Sequence, residues 1–243
     1  YGNGKEVQQT TDGGYIITGF CGNLNNRDVC LIKTDENGDE QWSQTFGGEE
    51  DDLGWSIQQT TDGGYIITGT TTSFGNGNND VYLIKTDGNG NEEWSQTFGG
   101  IFPEGGYSVQ QTLDGGYIIT GMTTDENETS DVYLIKTDGN GEEEWSQTFG
   151  GSSNNDLGYS VQQTLDGGYI ITGYTHEGDT DVYLIKTDEQ GNVTSTFEIP
   201  TPTSKRELLK TTNILGQENT TIKNQPLIEI YDDGSVEKKY IIE

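Results

Sequence analysis

The chain has 243 residues, with 12 Lys and Arg against 41 Asp and Glu, a net charge of −29, and only 29% hydrophobic residues. No stretch approaches the roughly 18 apolar residues of a membrane span, and so acidic a chain repels phosphate backbones; neither a transmembrane segment nor a nucleic-acid partner is expected. One His, one Met and two Cys leave little for histidine catalysis or a Cys/His zinc centre.

So polar a chain could be disordered, but 36 Gly, 13 Tyr, 7 Phe and 4 Trp point instead to many short strands joined by glycine turns. The chain begins at Tyr1, without Met or an apolar leader and already inside a repeat. The expectation is a fragment or processed form with further repeats upstream.

Four copies of a unit of about 51 residues fill residues 1–197. The string DGGYIITG starts at Asp12, Asp62, Asp114 and Asp166; LIKTD ends at Asp35, Asp87, Asp138 and Asp188; WSQTFGG starts at Trp42, Trp94 and Trp145. In the second copy, residues 55–60, 64–69, 80–86 and 93–98 are rich in β-branched and aromatic residues and predict four strands. The breaks carry Asp-Gly and Asn-Gly pairs, which favour tight hairpins because they tolerate positive φ. No helix-period pattern lies between them. Continuous apolar runs such as 65–67 and 81–84 predict strands buried on both faces, so each unit must stack on its neighbours. The fold class is therefore all-β: a β-propeller of four-stranded antiparallel blades, left incomplete if upstream copies are missing, with a β-solenoid as the alternative.

Within the repeats, the Lys of IKTD (Lys33, Lys85, Lys136, Lys186) recurs in an apolar strand and is expected to pair with a carboxylate or cap carbonyls between blades. The loops Asp35-Glu-Asn37-Gly-Asp39, Asp87-Gly-Asn89-Gly-Asn91 and Asp138-Gly-Asn140-Gly-Glu142 place oxygens at alternate positions around a glycine. They read either as Asn-Gly hairpin turns or as calcium ligands; no cofactor other than calcium is expected. Phe46, Phe98 and Phe149 stand where an EF-hand-type loop needs its closing Glu. Asp51-Asp52 and the run 125–128 are further oxygen clusters that read as solvated. Cys21 and Cys30 fall on adjacent strands and form either a cross-strand disulfide or two buried thiols. His176 lies in a loop with no nucleophile beside it, and no catalytic residue is assigned. Phe20, Phe74, Phe102 and Tyr174 depart from the repeat and are candidates for contact with an extracellular glycan or protein.

The pattern Asp35, Gly38, Trp42, repeated as Asp87, Gly90, Trp94 and Asp138, Gly141, Trp145, resembles the tryptophan-docking motif of quinoprotein-type propellers. The paired glycines resemble kelch blades, and the whole unit is similar to secreted bacterial propeller repeats. In the fourth copy Ser195 replaces the Trp. The resemblance implies architecture and is silent on ligand.

A Pro-containing linker, residues 198–204, separates the repeats from a tail, residues 205–243, of different composition. Pro226 opens an alternating run, Asp232-Asp233-Gly234 marks a turn and Lys238-Lys239 begin the return, which predicts a hairpin. The stretches containing Lys210, Leu215, Gly216 and Glu218, and then Tyr231, Asp232, Asp233, Gly234, Glu237 and Lys238, resemble the C-terminal sorting signal of the type IX secretion system of Bacteroidetes. That resemblance implies an outer-membrane translocon as partner, passage through the periplasm, and a secreted or surface-attached product. Together these readings give a binding or adhesion protein that is not an enzyme. The alternative is the accessory and export end of a larger secreted hydrolase.

Overall fold

The computed structural model describes residues 2–23, 26–151, 155–177, 179–199, 208–213, 226–231 and 236–240. The chain divides into two compact units, Tyr1–Ile199 and Pro200–Glu243.

The first unit is four four-stranded antiparallel sheets, one per copy, with strands in sequence order. The first sheet is β1 (Gly2–Gln9), β2 (Tyr15–Asn23), β3 (Asn26–Thr34) and β4 (Glu40–Phe46). The second is β5 (Asp52–Gln59), β6 (Tyr65–Thr71), β7 (Asp80–Thr86) and β8 (Glu92–Phe98). The third is β9 (Glu104–Gln111), β10 (Tyr117–Thr124), β11 (Ser130–Thr137) and β12 (Glu143–Phe149). The fourth is β13 (Leu157–Gln163), β14 (Tyr169–Glu177), β15 (Asp179–Thr187) and β16 (Val193–Ile199). No helix occurs among the described residues, as the periodicity predicts.

The sheets stack like the blades of a propeller, with the first strands β1, β5, β9 and β13 side by side along one edge. Each boundary holds its own core. Ile16, Val29 and Leu31 of the first sheet meet Ile57, Tyr65 and Ile84 of the second, and the same positions recur at the next two boundaries. Burial of one such side chain stabilises the stack by about 1.5–3 kcal/mol. Strand β7 is buried along its whole length, which is why it reads as one apolar run.

The stack does not close into a ring. Its two end faces show this directly. Val7 of the first sheet is 59% exposed whereas its counterparts Ile57, Val109 and Val161 are buried. Val182 of the last sheet is 43% exposed whereas Val29, Val81 and Val132 are buried.

Two side-chain devices lock neighbouring sheets. The first strands do not pair with one another, so their amides need other acceptors. The Gln-Gln pairs supply them: Gln110 Oε1 accepts from Gln163 N at 2.8 Å, and Gln59, Gln111 and Gln163 each accept from the turn of the preceding copy at 2.9 Å. The second device is the tryptophan. Trp42, Trp94 and Trp145 pack on Tyr65, Tyr117 and Tyr169 of the next sheet, with ring centroids 5.8–6.0 Å apart. The same rings lie over Gly90, Gly141 and Gly191, where only a glycine leaves room.

The repeated lysines pair within a sheet rather than between sheets, because the register puts each beside the Asp-Gly-Gly turn of its own copy. Lys85 Nζ is 2.9 Å from Asp62 and 2.8 Å from Glu93, and Lys136 makes the same pair with Asp114 and Glu144. Both ammonium groups also donate to the next carbonyl along the strand, Thr86 O and Thr137 O.

The second unit is a three-stranded antiparallel sheet, β17 (Leu208–Asn213), β18 (Pro226–Tyr231) and β19 (Val236–Tyr240). Pro226 opposes Tyr240 and Ile230 opposes Val236. Pro226 opens its strand, where a missing N–H is tolerated.

Candidate functional site

The first strands carry an irregularity that the repeat does not announce. In each of the four sheets the register between first and second strands slips by one residue, and the skipped residues are Lys5, Trp55, Tyr107 and Tyr159. A β-bulge leaves its extra residue unpaired and re-aims the side chain. The partner strand has a glycine at each bulge. At Gly69, for example, any side chain would drive into the Leu53 carbonyl. The glycine of YIITG therefore permits the bulge as much as it shapes the strand.

The four bulge residues line one cleft of about 400 Å³ on the edge formed by the first strands. Trp55 and Tyr107 meet edge to face at 6.1 Å, and Tyr107 and Tyr159 lie 5.6 Å apart. Lys5 Nζ sits 4.4 Å from the Trp55 ring, a cation–π contact that closes one end. Two of the aromatic residues singled out in the sequence extend this row. Phe20 lies 5.3 Å from the same Lys5 ammonium, and Tyr174 lies 5.8 Å from Tyr159. Phe74 is elsewhere, against Tyr82 at 5.7 Å, and Phe102 is half-buried in the connection before β9. Burial pushes the Tyr107 hydroxyl up to about 12, so it stays protonated and available as a donor.

Asp35, Asp87 and Asp138 each anchor a hairpin turn. Asp87 Oδ1 accepts from Asn89 N at 2.8 Å and from Asn91 N at 2.9 Å, and Asn91 Nδ2 donates to Oδ2. Asp35 serves Asn37 and Asp39 in the same way, and Asp138 serves Asn140 and Glu142. These bonds hold all three carboxyls below the usual carboxylate range, the largest cause at Asp35 and Asp138 being the amide four residues on and at Asp87 the Asn91 side chain. Among the described residues no three His, Cys, Asp or Glu side chains converge on a common point. Asp125 makes the same turn with Asn127 and Thr129. Asp52, by contrast, is fully buried rather than solvated.

Cys21 and Cys30 are joined across β2 and β3, with Cα atoms 5.8 Å apart, within the disulfide range. His176 is exposed and its Nδ1 lies 3.0 Å from Thr180 Oγ1. In the tail, Lys210 is exposed on β17, Tyr231 ends β18, and Glu237 and Lys238 lie on β19. Leu215, Gly216, Glu218, Asp232, Asp233 and Gly234 lie outside the described residues.

Sequence reasoning missed Lys5, Trp55, Tyr107 and Tyr159. The signal was present: they occupy one repeat position, after an unchanging Gly and before the Ser or Glu that is separated from the Gln-Gln pair by one residue, and they change between Lys, Trp and Tyr.

Comparison with known protein families finds no match, and comparison with curated proteins finds none. Among solved structures the chain is similar to a crystal structure of a protein of unknown function from Dyadobacter fermentans DSM 18053. The match has 10% identity and a TM-score of 0.57, and covers 99% of this chain and 83% of that one. At that identity the likeness is one of fold: repeated four-stranded antiparallel sheets.

Proposed function

We propose that this protein is an exported, non-enzymatic binding module that captures a neutral or amino-sugar polysaccharide along the row of bulge residues. The observation that carries the reading is the cleft lined by Lys5, Trp55, Tyr107 and Tyr159. Aromatic faces suit the C–H faces of sugar rings, and rigid aromatic residues give contact area at low entropic cost. The cleft volume lies in the range of small-ligand sites. A net charge of −29 disfavours anionic polymers, which narrows the ligand to neutral or basic chains.

Export is supported by the tail, whose sequence resembles a type IX sorting signal, and by the paired Cys21 and Cys30, which suit an oxidising compartment. The partner on the way out is then the outer-membrane translocon. The repeats are read as kelch-like or quinoprotein-like blades in architecture alone, since fold does not specify function.

The test is a pull-down and calorimetric titration against neutral and amino-sugar polysaccharides, with the variant Trp55→Ala/Tyr107→Ala/Tyr159→Ala beside the native chain. Loss of at least about 100-fold in affinity, with unchanged circular dichroism, is expected, because aromatic anchors are each worth more than about 1 kcal/mol. Binding that survives the triple substitution, or no binding to any such polymer, overturns the reading.

A further inference from the structure

A second constellation recurs at every boundary between sheets. The Asp of the D-V-x-L-I-K-T run of one copy faces the acid at, or one residue before, the start of the first strand of the next. The pairs are Asp28 with Asp52, Asp80 with Glu104, and Asp131 with Asp156. A side chain built on Gly47, Gly99 or Gly150 would run into both acids of its pair, so each pair converges on one backbone point. Asp52, Asp80, Glu104 and Asp156 are each no more than 5% exposed. No Lys or Arg among the described residues forms an ion pair with any of the six.

Two like charges held together in a dry site are costly without a counter-charge. The hydrogen bonding shows which way the oxygens are used. Asp52 Oδ2 accepts from Gly48 N at 2.8 Å and from Ser73 Oγ at 2.7 Å, and Asp156 Oδ2 accepts from Gly151 N at 3.2 Å. The second oxygen of each, and Oδ1 of Asp131, are buried with no partner. Asn26, whose Nδ2 donates to Gly48 O, likewise buries an Oδ1 without a partner. Unpaired buried acceptors are rare in folded proteins. Here they gather at two of the three acid pairs. Burial pushes Asp28, Asp80, Glu104 and Asp131 above the usual carboxylate range.

We propose that each of the three sheet boundaries binds one calcium ion through its acid pair, Asp28 with Asp52, Asp80 with Glu104, and Asp131 with Asp156. The donors are all hard oxygens, which calcium takes. Two carboxylates neutralise one divalent ion, and calcium accepts backbone carbonyl, amide and hydroxyl oxygens in irregular sets to complete six to eight ligands. Magnesium demands a near-ideal octahedron and keeps its water, which suits a buried backbone crevice poorly. The ion would tie the end of one sheet to the start of the next. Asp181 holds the same repeat position in the fourth and last copy, so the acid pairs between copies, and the sites expected, number three.

The experiment strips the full chain with chelator, then titrates calcium chloride by calorimetry and follows thermal unfolding with and without the ion. The result expected is uptake of three ions with midpoints of about 10⁻⁴ M to 10⁻³ M, as in extracellular calcium modules, and a rise in melting temperature. Asp156→Asn is expected to remove one ion. Asp52→Asn/Glu104→Gln/Asp156→Asn is expected to remove all three and abolish the thermal shift. The exposed-loop variant Asp87→Asn/Asp138→Asn serves as control and is expected to keep all three ions. A purely structural role is distinguished by sign: in chelator the triple variant melts higher than the native chain, and in calcium it melts lower. No uptake at millimolar calcium, uptake unchanged in the triple variant, or equal loss in the loop control overturns the proposal. A thermal response to magnesium equal to that with calcium overturns the choice of ion.

Discussion

Two glycine substitutions in the third sheet separate backbone strain from inter-sheet packing. Gly115 lies in the β9–β10 turn with φ +90° and nothing within 4 Å of a built Cβ; Gly141 lies in the β11–β12 turn with φ +83° and a built Cβ 2.5–3.0 Å from three atoms of the Trp94 ring. Gly115→Ala therefore adds only the left-handed penalty of an L-residue, about 1–2 kcal/mol. Gly141→Ala adds that penalty and displaces an indole that packs on Tyr117 at 5.8 Å. Overpacking of this kind costs a further ~1–3 kcal/mol. Urea unfolding of both variants, followed by tryptophan fluorescence, is expected to show Gly141→Ala less stable than Gly115→Ala by at least about 1 kcal/mol. In a Trp94→Ala background the excess should vanish, leaving Gly141→Ala at the backbone cost alone. Equal losses for the two glycines, or an excess that persists without Trp94, would refute the docking of each tryptophan on the next sheet's turn.

Lys136→Met removes the cation that joins Asp114, Glu144 and Thr137 O. The two carboxylates are 59% and 47% exposed and can rehydrate, so the expected cost in urea unfolding is about 2 kcal/mol, below that of a fully buried pair. The pH dependence of stability has two limbs of opposite sign. Asp62 and Asp114, against the upward push of burial, are held at about 2 by hydrogen bonds from Thr60 and Lys85 and from Thr112 and Lys136. Their contribution is present above the ordinary 3.8 and is lost as pH falls towards 2. Asp28, Asp80 and Asp131 are raised from the ordinary 3.8 and Glu104 from 4.5, so each favours folding only while protonated and loses that contribution as pH rises through its folded value. In chelator and high salt, which screens general repulsion, the melting temperature is expected to rise as pH falls through the range just above the ordinary carboxylate values, then to fall as pH drops below them towards 2. A melting temperature that falls throughout that descent would contradict the buried acid pairs.

The architecture was legible because each copy repeats its turn chemistry and its apolar runs. Asp62-Gly63-Gly64 marks a hairpin, and the continuous run at 81–84 marks a strand covered on both faces. The row of bulge residues was not legible. Trp55 and Tyr107 are the same residue types as the core aromatics Trp94 and Tyr117, and only a bulge, a register event between two strands, turns them outward. The acid pairs were hidden for a different reason. Asp52 follows Glu49-Glu50-Asp51 and reads as part of a solvated run, whereas the strand begins at Asp52 itself and carries it into the boundary. The lysine pairing was half legible: a buried Lys needs a carboxylate, but which one depends on a register that brings Asp62 and Lys85 to one end of the same sheet.

If the bulge row binds glycan as proposed, the four tryptophans report it directly. Trp55 lies on the row, while Trp42, Trp94 and Trp145 lie between sheets. The measurement is a titration with a neutral oligosaccharide monitored by the four indole N–H signals of ¹⁵N-labelled protein, with Trp55→Phe used for assignment. The Trp55 signal is expected to move saturably while the other three stay in place. Shifts confined to Trp42, Trp94 or Trp145, or no shift with any neutral or amino-sugar oligosaccharide, would contradict it.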